Sequence, residues 1–292
     1  MSEFGVTSMV ASLRRVAMRK PGSIRTADPE RWHYTKPIDA VALQRQYEEF
    51  ASLVAASGAE IVWFDDGVAV DDDLADSVFT YDPSFVVAGG AVILRPGKDL
   101  RAGEADVHDK FYAEHEIPIL GRIEAPGLVE GGDMFWLDGH TLAVGRGFRT
   151  NQAGIDQLSV ILAPQGVEVR AFDLPYWQGP AACLHLMSVV SPLDTNLALI
   201  HAPLVPTALH QDMSDRGWEL LAAPVDEFDQ SLGLNLNVLA TGPRNVIALD
   251  GFPQTTALMR DAGCTVTVFQ GDELCIPCEG GPTCLTRPLW RL

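Results

Sequence analysis

The chain has 292 residues, 47% of them hydrophobic, and a formal net charge of −18 at pH 7. That length accommodates one large domain or two, and that apolar content supplies a sizeable core. So acidic a balance argues against a nucleic-acid partner, whose phosphates need Lys and Arg; it is compatible with a cationic small molecule or with plain solubility.

The first apolar stretch, residues 4–10, is short and interrupted, so neither a leader nor a membrane contact is expected. Five cysteines, an odd number in a chain of this size, do not suggest a disulfide framework. Free thiols in a reducing, cytoplasmic compartment are the expectation.

Taken in order, residues 12–22 (SLRRVAMRKPG) contain a strand-like run, and residues 19–38 read as a loop able to act as a lid. Beyond them one pattern recurs: a helical stretch, a short polar break, then a β-like run. It falls at 55–64, 113–122, 163–172, 214–223 and 260–269. The break residues are Gly58, Glu116, Gly166, Gly217 and Gly263, separated by 46 to 58 residues. Glycine ends a helix by accepting positive φ without a steric cost, so four of the five breaks are ordinary C-terminal caps. Glu116 does not fit, and a different stop is expected there. A second β-like run precedes the helix within the repeat, at 89–96, 139–146, 196–203 and 244–250.

The unit is therefore strand, strand, helix, strand, about every 50 residues. Five such units can close into a ring and leave no open edge. The predicted class is α/β, a five-bladed propeller of ββαβ modules with pseudo-five-fold symmetry; an open α/β sheet with coincidental spacing is the alternative. The fifth unit lacks a closing strand at the C-terminus. Residues 12–22 could supply it, joining both chain ends in a single catalytic domain over 1–292.

Chemistry-bearing residues follow the repeat. Asp82, then Glu130 and Asp133, then His185, then Asn235 and Asn237 each precede a second strand; Cys284 takes the matching place after the fifth helix and strand, in the loop EGGPTC (279–284). Equivalent points on modules around an axis converge on that axis. A thiol, an imidazole and two carboxylates are the parts needed to attack a carbon inside a cation. Plainer readings stand beside each: Asp82-Pro83 as a turn, Glu130-Gly-Gly-Asp133 as a hairpin turn, His185 as a core histidine, Arg101 and Arg149 as surface ion-pair partners. Cys275 and Cys278 form C-x-x-C with Cys284 close behind. Zinc, a redox pair or two packed strand-end cysteines all fit that spacing, though neither a fourth ligand nor a second pair is evident nearby. Cys183 and Cys264 read as core residues.

The strings DSVFTYD, RPGKDLRAGE, EGGDMFWLDGHTLAVGRGFRTNQAG, LHL, LNVLATGPRNVIAL and GGPTCLTRPLWR occur in that order from residue 76 onward. In them the chain resembles the pentein superfamily of guanidine-modifying enzymes, most closely its dimethylarginine dimethylaminohydrolase branch. The resemblance implies a five-bladed ring with neither metal nor organic cofactor and a small guanidino substrate; a homodimer stays open. It implies Cys284 as nucleophile, His185 as general acid and base, and Asp82 and Glu130 as carboxylates around the guanidinium. Asp76 would be a secondary contact, and Arg101 and Arg149 would grip the carboxylate of an amino acid. One departure stands out: this branch often carries Glu-Asp where the chain has Tyr81-Asp82, which puts the nitrogen substituent of the substrate in question and makes Tyr81 a candidate substrate contact.

The activity so implied is hydrolysis of an N-substituted, methylated arginine to citrulline and an amine through an S-alkylthiouronium. Arginine deiminase-like and amidinotransferase activities share that intermediate and remain alternatives, as does a non-catalytic guanidino-compound or zinc binder.

Overall fold

A computed structural model describes residues 4–180, 182 and 184–292. The chain runs β1 (Leu13–Met18), α1 (Pro29–Trp32), α2 (Ala40–Ala56) and β2 (Glu60–Trp63), then β3 (Ser84–Val87), β4 (Gly90–Ile93), α3 (Glu104–Glu114) and β5 (Ile119–Arg122). It continues with β6 (Met134–Trp136), β7 (Thr141–Arg146), α4 (Gln152–Leu162) and β8 (Glu168–Asp173), then β9 (Val190–Asp194), β10 (Leu197–Ile200), α5 (Thr207–Asp215) and β11 (Glu219–Ala222). The last stretch is α6 (Val225–Ser231), β12 (Leu239–Gly242), β13 (Asn245–Leu249), α7 (Pro253–Asp261), β14 (Thr265–Phe269) and β15 (Arg287–Arg291).

These strands form five separate three-stranded sheets. In each, the middle strand pairs antiparallel with one neighbour and parallel with the strand that follows the helix. The antiparallel pair needs only a tight turn, whereas the parallel return needs the helical crossover. The middle strands β4 and β10 are buried along their whole length, as continuous apolar runs covered on both faces should be. The third strands β5, β8 and β11 are half-exposed and lie toward the outside.

The fifth sheet is built from both chain ends. β1 pairs antiparallel with β15 and parallel with β2, and Gly5 bridges to Trp290. Three apolar clusters lie between the modules, one around Leu186, Leu199 and Phe228, one around Phe85, Val92 and Leu158, and one around Val16, Phe50 and Phe269.

Asp39 caps α2 by accepting from the N–H groups of Val41 and Ala42, and Asn151 caps α4 by accepting from Gly154. At the other ends, all five break residues take positive φ: Gly58 91°, Gly166 71°, Gly217 78°, Gly263 83° and Glu116 53°. The expectation of a different stop at Glu116 is thus corrected. The same left-handed turn is made there by a non-glycine residue, and the N–H of Ile117 closes it onto the Tyr112 carbonyl.

Residues 19–38 do not hang free. Arg19 is buried and bonded to Asp65, Asp72 and Ser77, and Thr35 N donates to Pro277 O at 2.9 Å. Trp32 is buried, and with His33 it lines the cavity described next. Cys264 and Cys275 are buried free thiols; Cys183 lies outside the described residues.

Candidate active site

Residues 279–284 follow β14 and a short 3₁₀ turn, Ile276–Cys278. The two glycines of this loop answer to close packing. A Cβ on Gly280 would fall 2.4 Å from the Phe79 ring, and one on Gly281 2.5 Å from Asn237 Cγ. Asn237 in turn fastens the loop: its Oδ1 accepts from Thr283 N at 3.0 Å and its Nδ2 donates to Cys284 Sγ at 3.0 Å. The sulfur packs against the core on one side and lines the cavity described below on the other.

Glu130-Gly-Gly-Asp133 is not a hairpin turn. Gly131–Asp133 form a 3₁₀ turn leading into β6. A Cβ on Gly131 would lie 2.2 Å from Tyr81 O, and one on Gly132 2.4 Å from His185 Nδ1, so both backbones abut functional segments. Asp133 is fully buried, and its Oδ1 accepts from Leu186 N at 2.9 Å, anchoring the turn that carries His185. Burial pushes the Asp133 carboxyl up to about 6.

Glu130 is the hub. Its Oε1 accepts from Gly97 N at 2.7 Å and from Arg149 Nε at 2.9 Å, and its Oε2 lies 2.6 Å from His185 Nε2. Burial alone would raise its pKa, but Arg149 and His185 outweigh that and hold it well below the usual carboxylate range. Asp82 lies alongside, accepting from Arg101 Nη1 at 2.7 Å and from Gly132 N at 2.8 Å.

Asp82, His185 and Cys284 line one cavity of about 430 Å³, with Asp76, Lys98, Arg101 and Arg149 on its walls and Trp32, His33, Phe148 and Glu279 around them. That volume suits a ligand of amino-acid size. Burial pushes the Cys284 thiol up to about 11, with Asp82 adding to the rise; Asn237, the Gly281 N–H and His185 oppose it. Among the described residues, the acidic and imidazole ligand atoms that lie within 4.8 Å of one another are those of Asp82, Glu130 and His185. Their oxygens already accept from guanidinium and backbone N–H groups, which marks them as a cradle for N–H donors.

Two anticipated contacts are placed differently. Every nitrogen of Arg101 is engaged inside the protein, on Glu104, Asp82 and the Phe79 carbonyl, so its contacts orient Asp82 and do not support a grip on a substrate carboxylate. Tyr81 is buried with Arg287 4.0 Å above its ring. It touches the small space behind Cys284 and His185 rather than the main cavity. Asp76 lines the main cavity but is bound to Tyr34 Oη at 2.7 Å and Lys98 Nζ at 2.6 Å.

The repeat places Asn237, with Asn235, only as a polar residue before the second strand of the fourth unit; its contact with the sulfur is not visible in that position. Lys98, Trp32, His33 and Glu279 were missed. Nothing in their local sequence indicates a cavity, because they reach it from three different segments.

Five three-stranded sheets in ββαβ order, with a thiol, an imidazole and carboxylates gathered from different modules, define the pentein class of fold. The arginine deiminase family model matches residues 64–219, just over half of the chain, and the chain belongs to that family. Similar proteins include an N(G),N(G)-dimethylarginine dimethylaminohydrolase of Streptomyces coelicolor, 28% identical over 283 residues, covering 96% of this chain and 98% of the relative. An arginine deiminase of Mycobacterium avium is also 28% identical, over 77% of this chain and 62% of its own length. Among solved structures, a mutant dimethylarginine dimethylaminohydrolase of Pseudomonas aeruginosa complexed with citrulline is 22% identical and superposes with a TM-score of 0.77 over 94% of this chain and 99% of the other.

Proposed function

We propose that this protein is a cysteine hydrolase of N-substituted arginines, with a methylated arginine as substrate and citrulline and an amine as products. The observation that carries the reading is the gathering of Cys284, His185 and Asp82 at one cavity, with Glu130 bonded directly to His185. The end-to-end match to a dimethylarginine dimethylaminohydrolase, against partial coverage of the deiminase relatives, favours a substituted guanidine over plain arginine.

A guanidinium carbon is a poor electrophile because resonance stabilises it. Glu130, held anionic by Arg149 and His185, and the buried Asp82 beside it would fix the plane of a planar cation against the sulfur. The bound cation also reverses the balance at Cys284. With the site empty the thiol is protonated at neutral pH; a positive charge beside it favours the thiolate, and the released proton passes to His185. The thiolate attacks the guanidinium carbon and forms the C–S bond. His185, held by Glu130, protonates the departing amine as the C–N bond breaks, leaving an S-alkylthiouronium. His185 then takes a proton from water, whose oxygen adds to the same carbon. Collapse expels the Cys284 thiolate and leaves the ureido product. Arg149, on the cavity wall and bonded to Glu130, is the residue best placed to meet the substrate carboxylate. The free cysteines agree with a reducing, cytoplasmic setting.

The test is a panel of arginine, mono- and dimethylarginine and agmatine, with citrulline, ammonia and alkylamine measured separately. Dimethylamine and citrulline in equal amounts from dimethylarginine support the reading. Ammonia from arginine at higher kcat/KM would replace it with a deiminase, and transfer to an added amine with an amidinotransferase.

A further inference from the structure

A second cavity lies inside the ring of first strands, lined by residues of β3, β6, β9, β12 and β15. It measures about 20 Å³, room for one water-sized occupant. Tyr81, Met187 and Thr283 line both this cavity and the small space behind Cys284, so they form the partition between the two.

The polar lining consists mainly of donors. Arg287 and Arg291 both face the cavity and are 2% and 8% exposed. Arg287 Nη1 donates to the carbonyls of Tyr81 and Ser84; Arg291 donates to those of Ala11 and Ala240. Among the described residues, no carboxylate pairs with either guanidinium; both donate to backbone carbonyls, and Arg287 also lies over the rings of Tyr81 and Phe85, 4.0 Å and 5.8 Å from their centroids. Arg287 Nε is buried without an acceptor, and so is the indole Nε1 of Trp136, which lines the same cavity and is 2% exposed. Burial and the neighbouring Arg287 lower the pKa of Arg291 to about 10, as expected of two cations sharing a space without an anion.

Two buried positive charges without a counter-charge are costly, as is each buried donor without an acceptor. Water would accept from the two orphaned N–H groups but would leave the charge. A monatomic anion does both and fits the volume; phosphate, sulfate and amino-acid carboxylates are too large. We propose that this axial cavity is a binding site for one halide ion, chloride in solution, which accepts from Arg287 Nε and Trp136 Nε1 and offsets the charges of Arg287 and Arg291. The ion sits behind the partition of the catalytic space. Tyr81, part of that partition, donates its backbone N–H to Cys284 O at 3.1 Å. The proposal is independent of which guanidine is the substrate.

The test uses the whole chain. Melting is followed in chloride, bromide and gluconate at constant ionic strength, for the natural chain and for Trp136→Phe and Arg291→Met. Crystals soaked in bromide are measured at the bromine absorption edge. The expected results are a saturable rise in melting midpoint with chloride and bromide but not gluconate, an apparent affinity at least tenfold weaker in Trp136→Phe and undetectable in Arg291→Met, and an anomalous peak between Arg287 and Trp136. Water in the cavity without an anomalous peak, or a melting midpoint indifferent to halide, overturns the site. If Arg291→Met does not fold, the bromide peak and Trp136→Phe decide.

Discussion

Cys284 presents the sharpest residue-scale question, because its surroundings oppose the charge the chemistry needs. Burial and the neighbouring Asp82 push the Cys284 thiol up to about 11, so the empty site favours the neutral thiol. Neutral iodoacetamide should therefore alkylate Cys284 slowly at neutral pH, with a rate that climbs as the pH rises. A cationic haloacetamidine should react at neutral pH at least 100-fold faster, since its own charge favours the thiolate. Equal rates for the two reagents, read by mass spectrometry, would remove the cation-assisted attack. Arg149→Ala should act twice. It should raise KM about tenfold or more for substrates with an α-carboxylate, and lower kcat for all substrates, agmatine included, because its Nε holds Glu130. An unchanged kcat for agmatine would leave the Glu130 contact without consequence.

Among the elements, the 3₁₀ turn Gly131–Asp133 and the turn bearing His185 fit together without slack. Gly132→Ala would place a methyl 2.4 Å from His185 Nδ1, far inside van der Waals contact, so His185 must move. A displacement near 1 Å costs on the order of 10²-fold in rate, so turnover should fall about that much while the far-ultraviolet spectrum stays native. Within 10-fold of normal turnover would show that the ring has room. Elsewhere, His108 on α3 is buried against Phe64, with Ser84 Oγ 2.8 Å from its Nδ1. Burial, then Arg287, Arg101 and Arg19, push its pKa well below the usual histidine value. The unfolded chain binds this proton more tightly, so the stabilisation is complete above about pH 6.5 and falls by up to about 1.4 kcal/mol per pH unit below it. Urea unfolding at pH 7 and pH 5.5 should show that loss, reduced in His108→Gln; an equal loss in the variant would assign it to other groups. The helix stops illustrate what local sequence can and cannot carry. Four were legible as glycines, whereas Glu116 makes the same turn at a steric cost that its surroundings offset, and no rule of composition identifies it.

The whole molecule depends on closure. β15 is the last strand in the sequence, yet its partner β1 is the first, so residues 287–291 complete a sheet begun some 270 residues earlier. Removing residues 287–292 deletes an inner strand and exposes the edge of β1. The cost should exceed the usual 5–15 kcal/mol stability of a domain, and the truncated chain should show no cooperative melting by calorimetry. A sharp transition within a few degrees of the intact chain would mean that the ring does not need its closing strand.

Repetition was readable from the chain alone because each module is local: caps, strand runs and helix lengths recur within about 50 residues, and short-range sterics dictate them. The candidate catalytic residues were readable for the same reason, since matching positions on a ring point to its axis. Which side chains share a bond was decided by packing between modules. Arg101 turned inward to Asp82, Tyr81 went beneath Arg287, Asn237 reached the sulfur, and Lys98 and Trp32 came to the cavity from separate segments. Those pairings join residues tens to hundreds of positions apart. Local sequence specifies the units, and only their closure around the axis determines which of these groups meet.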